Sequence, residues 1–302
     1  MLPKLVSIFD KRTAFSKTHM FHLKDDNTRN NKLFIKRDDL IHPDVSGNKW
    51  RKLKWNILSA INNDCKLINT YGGAYSNHLL AVASIGNELG LKTQGNIRGD
   101  ELTMNSNPLL RKCSDLNMEL IFHSRKKFKE LKYNDGIDSS DTQIWNIPEG
   151  GANREGVKGC CEIMGETEND YDYVILAQGT TTTSLGVYSS LNQKTKLLVV
   201  PVLRGFNAIK EMEKLATHCM HPFDKNRVEV LNDFHFGGYA KTDAKLDAFV
   251  KNFNEKSNVF FNTGYISRQP QFDAVFPNYA NAINPDLQNE IIKSFELGYG
   301  YV

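Results

Sequence analysis

The chain has 302 residues, of which 40% are hydrophobic and 24% charged, a composition typical of a folded globular protein rather than a disordered or fibrous one. Its 38 basic and 35 acidic residues leave a net charge of +3, so the overall charge favours neither nucleic acid nor an anionic membrane as a partner. The opening stretch MLPKLVSIFDKRTAF has too short an apolar run, and charges too early, for a signal peptide. No apolar stretch approaches the ~20 residues of a membrane helix.

The cysteines indicate neither a metal site nor a disulfide framework. There are five of them, an odd number, and they show no CxxC or zinc-ligand spacing. We therefore expect reduced thiols in a cytoplasmic protein that holds no metal. Cys160 and Cys161 are adjacent within a helical segment, and packing is a simpler interpretation for them than a redox pair.

Short apolar strands alternate with segments of helical period along the chain. In WRKLKWNILSAI, Trp50, Leu53 and Ile57 recur on one side of a helix together with Ile61, so Lys52 and Lys54 are expected in solvent. Strands are predicted at KLFIKRDD, KLINTYGG, MELIFH, TQIWNIP, YDYVILAQG, KLLVVPVL and RVEVLND. The other predicted helices are SNHLLAVASIGNELG, RKKFKELK, REGVKGCCEIMGE, TTTTSLGVYSSL and NAIKEMEKLATH.

This alternation predicts an α/β fold with mostly parallel sheets that helices cover on both faces. The strand YDYVILAQG (residues 171–179) is largely apolar, which is typical of a strand buried on both faces. Sheets of this kind bind ligands at the carboxyl ends of their strands. Chemistry is therefore expected in the loops that lead from strands into helices.

Two of these loops are rich in hydrogen-bond donors. GGAYSNH (72–78) brings two glycines, Ser76 and Asn77 to a helix start. A plain glycine turn with a capping residue is the alternative interpretation of this sequence. AQGTTTTSLG (177–186) places several hydroxyl groups at the start of the next helix. Hydroxyl groups and backbone amides at a helix N-terminus suit the binding of a phosphate. It is neither a Walker A loop nor a GxGxxG motif, and a capped helix start remains the alternative.

Two further loops pair glycines with polar or aromatic residues, IPEGGANREGVKG (147–159) and FHFGGYAK (234–241). In the first, Glu149 is either a helix-end charge or a site residue. In the second, His235 alone is more often a packing histidine than a catalyst.

Lys49, in VSGNKWRKLKW (45–55), follows a Ser-Gly-Asn turn at the start of a helix. An amine must be neutral to attack a carbonyl, and burial or a helix N-terminus lowers the ordinary lysine pKa of about 10.4. A candidate lysine, a phosphate-binding loop and donor-rich loops together suggest a cofactor with a phosphate and an aldehyde. Pyridoxal phosphate has both groups, although this stretch alone also fits a solvated lysine.

IKRDDLIHPDVSGNKWRKLKW (35–55), followed by TYGGAYSNHLLAVAS (70–84), resembles the 1-aminocyclopropane-1-carboxylate deaminase and D-cysteine desulfhydrase family. The resemblance continues through the other three loops and extends from Lys36 to about Thr263. It implies a pyridoxal-phosphate enzyme of fold type II, the tryptophan synthase β-subunit fold, with two three-layer α/β domains. Residues 1–50 and 157–302 would form the large cofactor-binding domain, and 51–156 a small inserted one.

The resemblance also implies roles for individual residues. Lys49 matches the lysine that holds pyridoxal 5'-phosphate and later moves protons, and Asn77 matches the asparagine that hydrogen-bonds its ring oxygen. Ser76 matches a serine at the substrate carboxylate and reacting carbon, and His78 lies in the same carboxylate-binding turn. The phosphate-binding loop corresponds to Gly179, Thr180, Thr181, Thr182 and Thr183.

Thr263 falls where the family places a threonine or a glutamate against the pyridine nitrogen. A neutral threonine does not keep that nitrogen protonated, which favours β-elimination over opening of a cyclopropane ring. The sequence departs from the family pattern nearby, with Asn262 in place of a catalytic tyrosine and Tyr265 in place of a lysine. Tyr265 is therefore the candidate for part of that catalytic role. Thr181 replaces the central glycine of the phosphate loop.

The resulting expectation is a pyridoxal-phosphate-dependent lyase or deaminase that acts on a small amino acid. The reaction would be an α,β-elimination like that of D-cysteine desulfhydrase or a deamination like that of 1-aminocyclopropane-1-carboxylate deaminase, giving a 2-oxo acid and ammonia. The alternatives are another fold type II activity, such as a racemase or a serine-like deaminase, or cofactor binding without catalysis. The resemblance further implies a homodimer, and neither nucleic acid nor a membrane is expected as a partner.

Overall fold

The computed structural model describes residues 2–21, 32–45, 47–133, 143–167, 170–203, 205–234, 243–246, 258–261, 265–268, 290–293 and 297–300. Within these ranges, every helix is too short or too polar to cross a membrane.

Helices and strands alternate through the first two-thirds of the chain. The α-helices are α1 Leu2–Thr13, α2 Asn48–Asn62, α3 Asn77–Leu89, α4 Pro108–Asp115, α5 Arg125–Tyr133, α6 Arg154–Gly165, α7 Thr182–Ser190 and α8 Ala208–Cys219. The strands are β1 Thr18–Phe21, β2 Leu33–Lys36, β3 Leu67–Gly73, β4 Lys92–Arg98, β5 Met118–His123, β6 Ile144–Ile147, β7 Tyr173–Gln178, β8 Lys196–Pro201, β9 Val228–Val230, β10 Asn258–Phe261, β11 Tyr265–Arg268, β12 Glu290–Lys293 and β13 Leu297–Gly300.

A four-stranded parallel sheet, in the order β5-β4-β3-β6, lies in the middle of the chain. Thr70 of β3 lies opposite Ile147 of β6, and the Thr70 hydroxyl donates to the Ile147 carbonyl oxygen at 2.9 Å. Since both strands run in the same direction, the loops that leave them emerge side by side at one edge of the sheet. These two loops are GGAYSNH and the Glu149–Gly151 turn.

A three-stranded parallel sheet, in the order β7-β8-β9, follows later in the chain. Val174 and Leu176 of β7 face a core that includes residues of α6, α7 and α8. On the opposite face of β7, Tyr173 is 57% exposed and Ile175 55%. The prediction of a strand buried on both faces is therefore wrong for the described part of the chain, because the described helices pack against one face of this sheet.

The remaining strands form antiparallel pairs, β1 with β2, β10 with β13, and β11 with β12. The pairings within the two larger sheets are all parallel. The fold class is thus confirmed as α/β with mostly parallel sheets.

The apolar stripe of α2 packs into the core of the four-stranded sheet, as its periodicity predicts. Trp50, Leu53 and Ile57 are fully buried, and Ile61 is half-buried against the same core. Burial of each such large side chain contributes roughly 1.5–3 kcal/mol to the free energy of folding. The Phe9 ring of α1 joins this core, with its centroid 4.8 Å from that of Trp50.

Glycines let α6 pack tightly between α2 and α7. A Cβ at Gly159 would lie 1.9 Å from the carbonyl oxygen of Arg51, and one at Gly186 would lie 2.3 Å from the Cβ of Cys160. Cys160 is fully buried in this packing, as predicted, and burial raises the pKa of its thiol to about 11. The close approach holds α2, which carries Lys49, beside the start of α7.

Candidate functional site

The turn before α2 brings Lys49 to the first turn of the helix. Gly47 is the N-cap residue, with φ 62° and ψ −139°, a backbone conformation that residues with a side chain rarely adopt. Lys49 is half-buried, and its ammonium donates to Asn48 Oδ1 at 2.7 Å. The positive end of the helix dipole disfavours the charged form of an amine at this position.

Lys52, one helical turn after Lys49, points towards the predicted phosphate loop. Its side chain is almost fully buried, and its ammonium donates to the Thr180 hydroxyl oxygen at 2.9 Å. Sequence analysis missed this residue. The available signal was its spacing, because residues three apart lie on the same side of a helix, and Lys52 is three positions after Lys49.

The prediction that Lys52 and Lys54 are solvated is wrong. Lys54 is 6% exposed, and its ammonium donates to Asp10 Oδ1 at 2.8 Å and to Glu162 Oε2 at 2.7 Å. The physical reason is that α1, α3, α6 and α7 all pack against α2, so even its polar side meets protein rather than water.

The GGAYSNH turn brings Ser76, Asn77 and His78 to the start of α3. Ser76 is the N-cap residue, but its side chain makes no capping hydrogen bond, so the simple capping interpretation fails for it. A Cβ at Gly72 would lie 2.8 Å from the Ser76 hydroxyl oxygen, and glycine there allows the turn to fold back on itself. Ser76 and Asn77 are both half-buried.

His78 is buried and neutral. Its Nε2 atom lies 3.0 Å from the Thr70 hydroxyl oxygen, and its Nδ1 atom has no hydrogen-bond partner among the described residues. Burial, and then the charges of Lys52 and Lys49, lower the pKa of His78 to about 3.

The loop from β7 into α7 presents unused hydroxyl groups. Thr181 is the N-cap residue with φ −73° and ψ −10°, so threonine in place of the family's glycine adopts an ordinary backbone conformation. Thr182 and Ser184 are fully buried, and their hydroxyls have no partner among the described residues. Burying a hydroxyl without a partner costs about 1–3 kcal/mol, which a bound anion would relieve.

The Glu149–Gly151 turn between β6 and α6 joins these parts. A Cβ at Gly151 would lie 3.1 Å from the Cβ of Lys52 and 3.7 Å from Cε1 of His78, and one at Gly150 would lie 2.5 Å from Cγ2 of Thr180. Both glycines have φ of 69°. The turn thus lets α2, GGAYSNH and the β7–α7 loop converge, because side chains at 150 and 151 would occupy the space between them.

The starts of α2, α3 and α7, which meet at this convergence, lack the side-chain caps that the starts of α4, α6 and α8 have. The asparagines that precede α4, α6 and α8 cap their helices, and their side chains accept from the amides of Leu110, Gly156 and Lys210. The N-cap residues of α2, α3 and α7 make no side-chain capping bond. Uncapped helix starts, the buried ammonium of Lys52 and the hydroxyls without a described partner form a place suited to an anion, and Lys49 lies three positions before Lys52 on the same helix.

Several curated proteins resemble this chain over most of its length. "Putative 1-aminocyclopropane-1-carboxylate deaminase" of Pyrococcus horikoshii is 26% identical over 251 residues, covering 78% of this chain and 76% of that protein. D-cysteine desulfhydrase of Klebsiella pneumoniae is 23% identical over 258 residues, covering 78% of each. The chain is a homologue of these proteins. The predicted resemblance to the 1-aminocyclopropane-1-carboxylate deaminase and D-cysteine desulfhydrase family is thereby confirmed, although no family model matches the sequence.

A solved structure supports the fold. The crystal structure of an ACC deaminase homologue superposes with a TM-score of 0.63 at 20% identity and covers 83% of both chains. Together with the parallel sheets, this likeness shows that the chain shares the fold of that ACC deaminase homologue.

The remaining site predictions fall at or beyond the limits of the described residues. Thr263, Asn262 and His235 lie outside them, as does most of FHFGGYAK. Tyr265 is the first residue of β11 and pairs with Lys293 of β12, but only its backbone is described. Its catalytic role and the pyridine contact of Thr263 stay predictions.

Proposed function

We propose that this chain is a pyridoxal-5'-phosphate-dependent lyase or deaminase that acts on a small amino acid. Its reaction would be an α,β-elimination like that of D-cysteine desulfhydrase, or a deamination like that of 1-aminocyclopropane-1-carboxylate deaminase. The products would be a 2-oxo acid and ammonia, with sulfide as the leaving group when the substrate is a cysteine. The observation that carries this proposal is the hydrogen bond from the buried ammonium of Lys52, on the helix that carries Lys49, to Thr180, two positions before the Thr182 hydroxyl that has no described partner.

The residues at the site fit both the phosphate group and the aldehyde group of this cofactor. A phosphate carries up to two negative charges and accepts several hydrogen bonds. The loop from Gly179 to Thr183 offers backbone amides and hydroxyls at a helix N-terminus, and Lys52 adds a positive charge. Lys49 supplies the primary amine for an aldehyde, and Asn77 at the start of α3 would donate to the ring oxygen.

When bound, pyridoxal phosphate delocalises the electrons that remain on the substrate's α-carbon after its proton leaves. Lys49 would hold the cofactor through Nζ and then, once free, take that proton. Ser76 and Asn77 would bind the substrate carboxylate at the uncapped start of α3. His78 is neutral and buried, so it would contact this carboxylate as a hydrogen-bonding group and not as a cation.

The choice between elimination and ring opening depends on residues outside the described ranges. A threonine at 263 against the pyridine nitrogen would favour elimination, because it leaves the ring a weaker electron sink than a glutamate does. Asn262 in the place of a tyrosine argues in the same direction. We therefore favour D-cysteine or a related small amino acid as substrate.

The organisation of the whole protein is part of this proposal. The four-stranded sheet falls within residues 51–156 and the three-stranded sheet within 157–302, which supports a small inserted domain and a large domain completed by residues 1–50. A homodimer in the cytoplasm accords with the family resemblance and with the balanced charge.

The test is the absorption spectrum of the purified protein with pyridoxal 5'-phosphate, before and after borohydride. The wild type should show a visible band that borohydride bleaches, and Lys49→Ala should lack it. Mass spectrometry should then find the reduced cofactor on Lys49. A wild type that stays colourless with added cofactor would end the proposal.

Turnover distinguishes the reaction classes. Release of pyruvate and sulfide from D-cysteine would support elimination, with Tyr265→Phe as the variant that tests the role of that tyrosine. A coloured protein that is inert towards a panel of D- and L-amino acids would instead support cofactor binding without catalysis.

A further inference from the structure

One buried histidine holds the segment that leads into the Lys49 turn. His42 is 4% exposed. The backbone amides of Asp44 and Val45 lie 3.1 Å and 2.9 Å from its Nδ1 atom. A backbone N–H can only donate, so Nδ1 accepts both bonds and carries no proton. In the neutral ring the proton is therefore on Nε2.

The opposite side of the ring fixes the same tautomer. Nε2 of His42 lies 2.6 Å from Oε1 of Glu88 on α3, and the Glu88 carboxylate is an acceptor that requires a proton on Nε2. Arg12 of α1 lies 3.7 Å from the other oxygen of Glu88, so a cation faces the carboxylate on that side. From α4, Lys112 pairs with Asp44 rather than with the ring.

The face of the same imidazole stacks on the residue that follows Lys49. The rings of His42 and Trp50 are 16° from parallel, with centroids 5.5 Å apart, and Trp50 is fully buried. His42 thus contacts the backbone four and five positions before Lys49 and the side chain directly after it. The same segment is also held by the backbone amide of Gly47, which donates to the Asp38 carbonyl oxygen at 3.1 Å.

We propose that His42 is a positioning residue for Lys49. Held by Glu88 as the Nε2-protonated tautomer, it fixes the backbone at residues 44 and 45 against Trp50 and thereby sets the direction in which Lys49 leaves the helix start. The significance of Lys49 rests on the proposed function, whereas the clamp itself is a property of the protein without cofactor and is tested on that form first.

The first experiment uses the full chain without added cofactor. Nitrogen-15 NMR of the histidine rings, with the His42 signals assigned by His42→Phe, should show a single Nε2-protonated tautomer. Amide hydrogen exchange at residues 44 and 45 should accelerate about tenfold in His42→Phe, the factor expected from the loss of about one net hydrogen bond. His42→Asn should restore slow exchange, because an asparagine oxygen accepts from the amides two and three positions on.

Two controls accompany this experiment. Glu88→Gln keeps an acceptor for Nε2 and should retain the wild-type exchange rates at residues 44 and 45, whereas Glu88→Ala frees that side of the ring and should accelerate them. His218→Phe changes an exposed histidine on α8 and should leave exchange at residues 44 and 45 unchanged. An Nδ1-protonated ring, wild-type exchange in His42→Phe, or faster exchange that extends equally to α8 would overturn the proposal.

The second experiment measures the consequence at Lys49. The yield of borohydride-trapped cofactor on Lys49, at limiting pyridoxal 5'-phosphate, should fall about tenfold in His42→Phe and stay close to wild type in His42→Asn. Equal trapping in His42→Phe and wild type would overturn the positioning role. If even the wild type traps no cofactor, the proposed function fails, and the exchange experiment still decides whether His42 holds the segment.

Discussion

The ammonium of Lys52 lies 2.9 Å from the hydroxyl oxygen of Thr180, although the two residues are 128 positions apart in the chain. The contact crosses from the helix that carries Lys49 to the start of α7. It adds a buried positive charge to a loop whose composition alone suggests a phosphate site.

Replacing Lys52 by methionine should weaken cofactor binding. A hydrogen bond to a charged group contributes about 2 kcal/mol, which is roughly a thirtyfold change in Kd. The measurement is a fluorescence or absorbance titration of the folded protein with pyridoxal 5'-phosphate. Lys54→Met is the matched control on the same helix, because Lys54 binds Asp10 and Glu162 instead. It should lower stability and leave Kd unchanged; equal losses of affinity in both variants would contradict the assignment.

Replacing Thr182 by valine should change stability and binding in opposite directions. The substitution removes a buried hydroxyl without a described partner and keeps the shape of the side chain. The cofactor-free protein should therefore gain about 1 kcal/mol of unfolding free energy, while its cofactor affinity falls.

The control for this prediction is Thr195→Val. Thr195 is also buried, but its hydroxyl donates to the Tyr171 carbonyl oxygen at 2.6 Å, so this variant should lose stability and keep its affinity. Urea unfolding and cofactor titration measure both effects. A loss of stability in cofactor-free Thr182→Val would show that its hydroxyl is already satisfied.

His78 should make the stability of the cofactor-free protein depend on pH below about 6.5. Burial, and then the charges of Lys52 and Lys49, lower its pKa to about 3 in the folded protein from an ordinary value of 6.5. Between these two values the unfolded chain binds a proton that the folded protein does not. Stability should therefore fall as the pH falls through this window, by up to about 1.4 kcal/mol per pH unit.

Urea unfolding of wild type and His78→Gln at pH 7 and pH 5.5 measures this contribution. The variant should lose less stability between the two pH values than the wild type does. His218→Gln, at an exposed position on α8, should behave like wild type. Parallel pH profiles for wild type and His78→Gln would show that His78 takes up its proton equally in both states.

Arg51→Met should strongly destabilise the fold. The buried guanidinium donates to Asp38 at 2.9 Å and 3.0 Å, and to Glu166 at 2.7 Å. Burial would raise the pKa of Asp38, but the Arg51 hydrogen bond and charge hold it below its ordinary value. Removing one partner of a buried ion pair costs roughly 3–5 kcal/mol, because the other charge is left unpaired.

The matched control for Arg51 is Arg125→Met. Arg125 pairs with Glu101 on the surface, where solvent screens the interaction, so its unfolding midpoint should stay close to that of wild type. The measurement is urea unfolding at pH 7. A similar midpoint for both variants would show that the Arg51 ion pairs add no more than a surface pair does.

Local patterns were sufficient to predict the elements and the loops that carry the site. The stripe of Trp50, Leu53 and Ile57 is buried as its period requires, and GGAYSNH, the Glu149–Gly151 turn and AQGTTTTSLG each join a strand to a helix. These features depend on neighbours within about ten residues, which periodicity and turn chemistry describe well. The same patterns were wrong about Lys52 and Lys54, since exposure depends on what packs against a helix.

By itself, the sequence determined the alternation of strands and helices, the donor-rich loops and the resemblance to a family of pyridoxal-phosphate enzymes. Only the tertiary structure decided which side chains meet. It showed that Gly150 and Gly151 leave room for α2, GGAYSNH and the β7–α7 loop to converge, and that α2 is surrounded, with Lys52 turned towards Thr180. The physical reason is that these contacts join residues up to 128 positions apart, and the packing of helices against sheets, which no local pattern encodes, sets their distances.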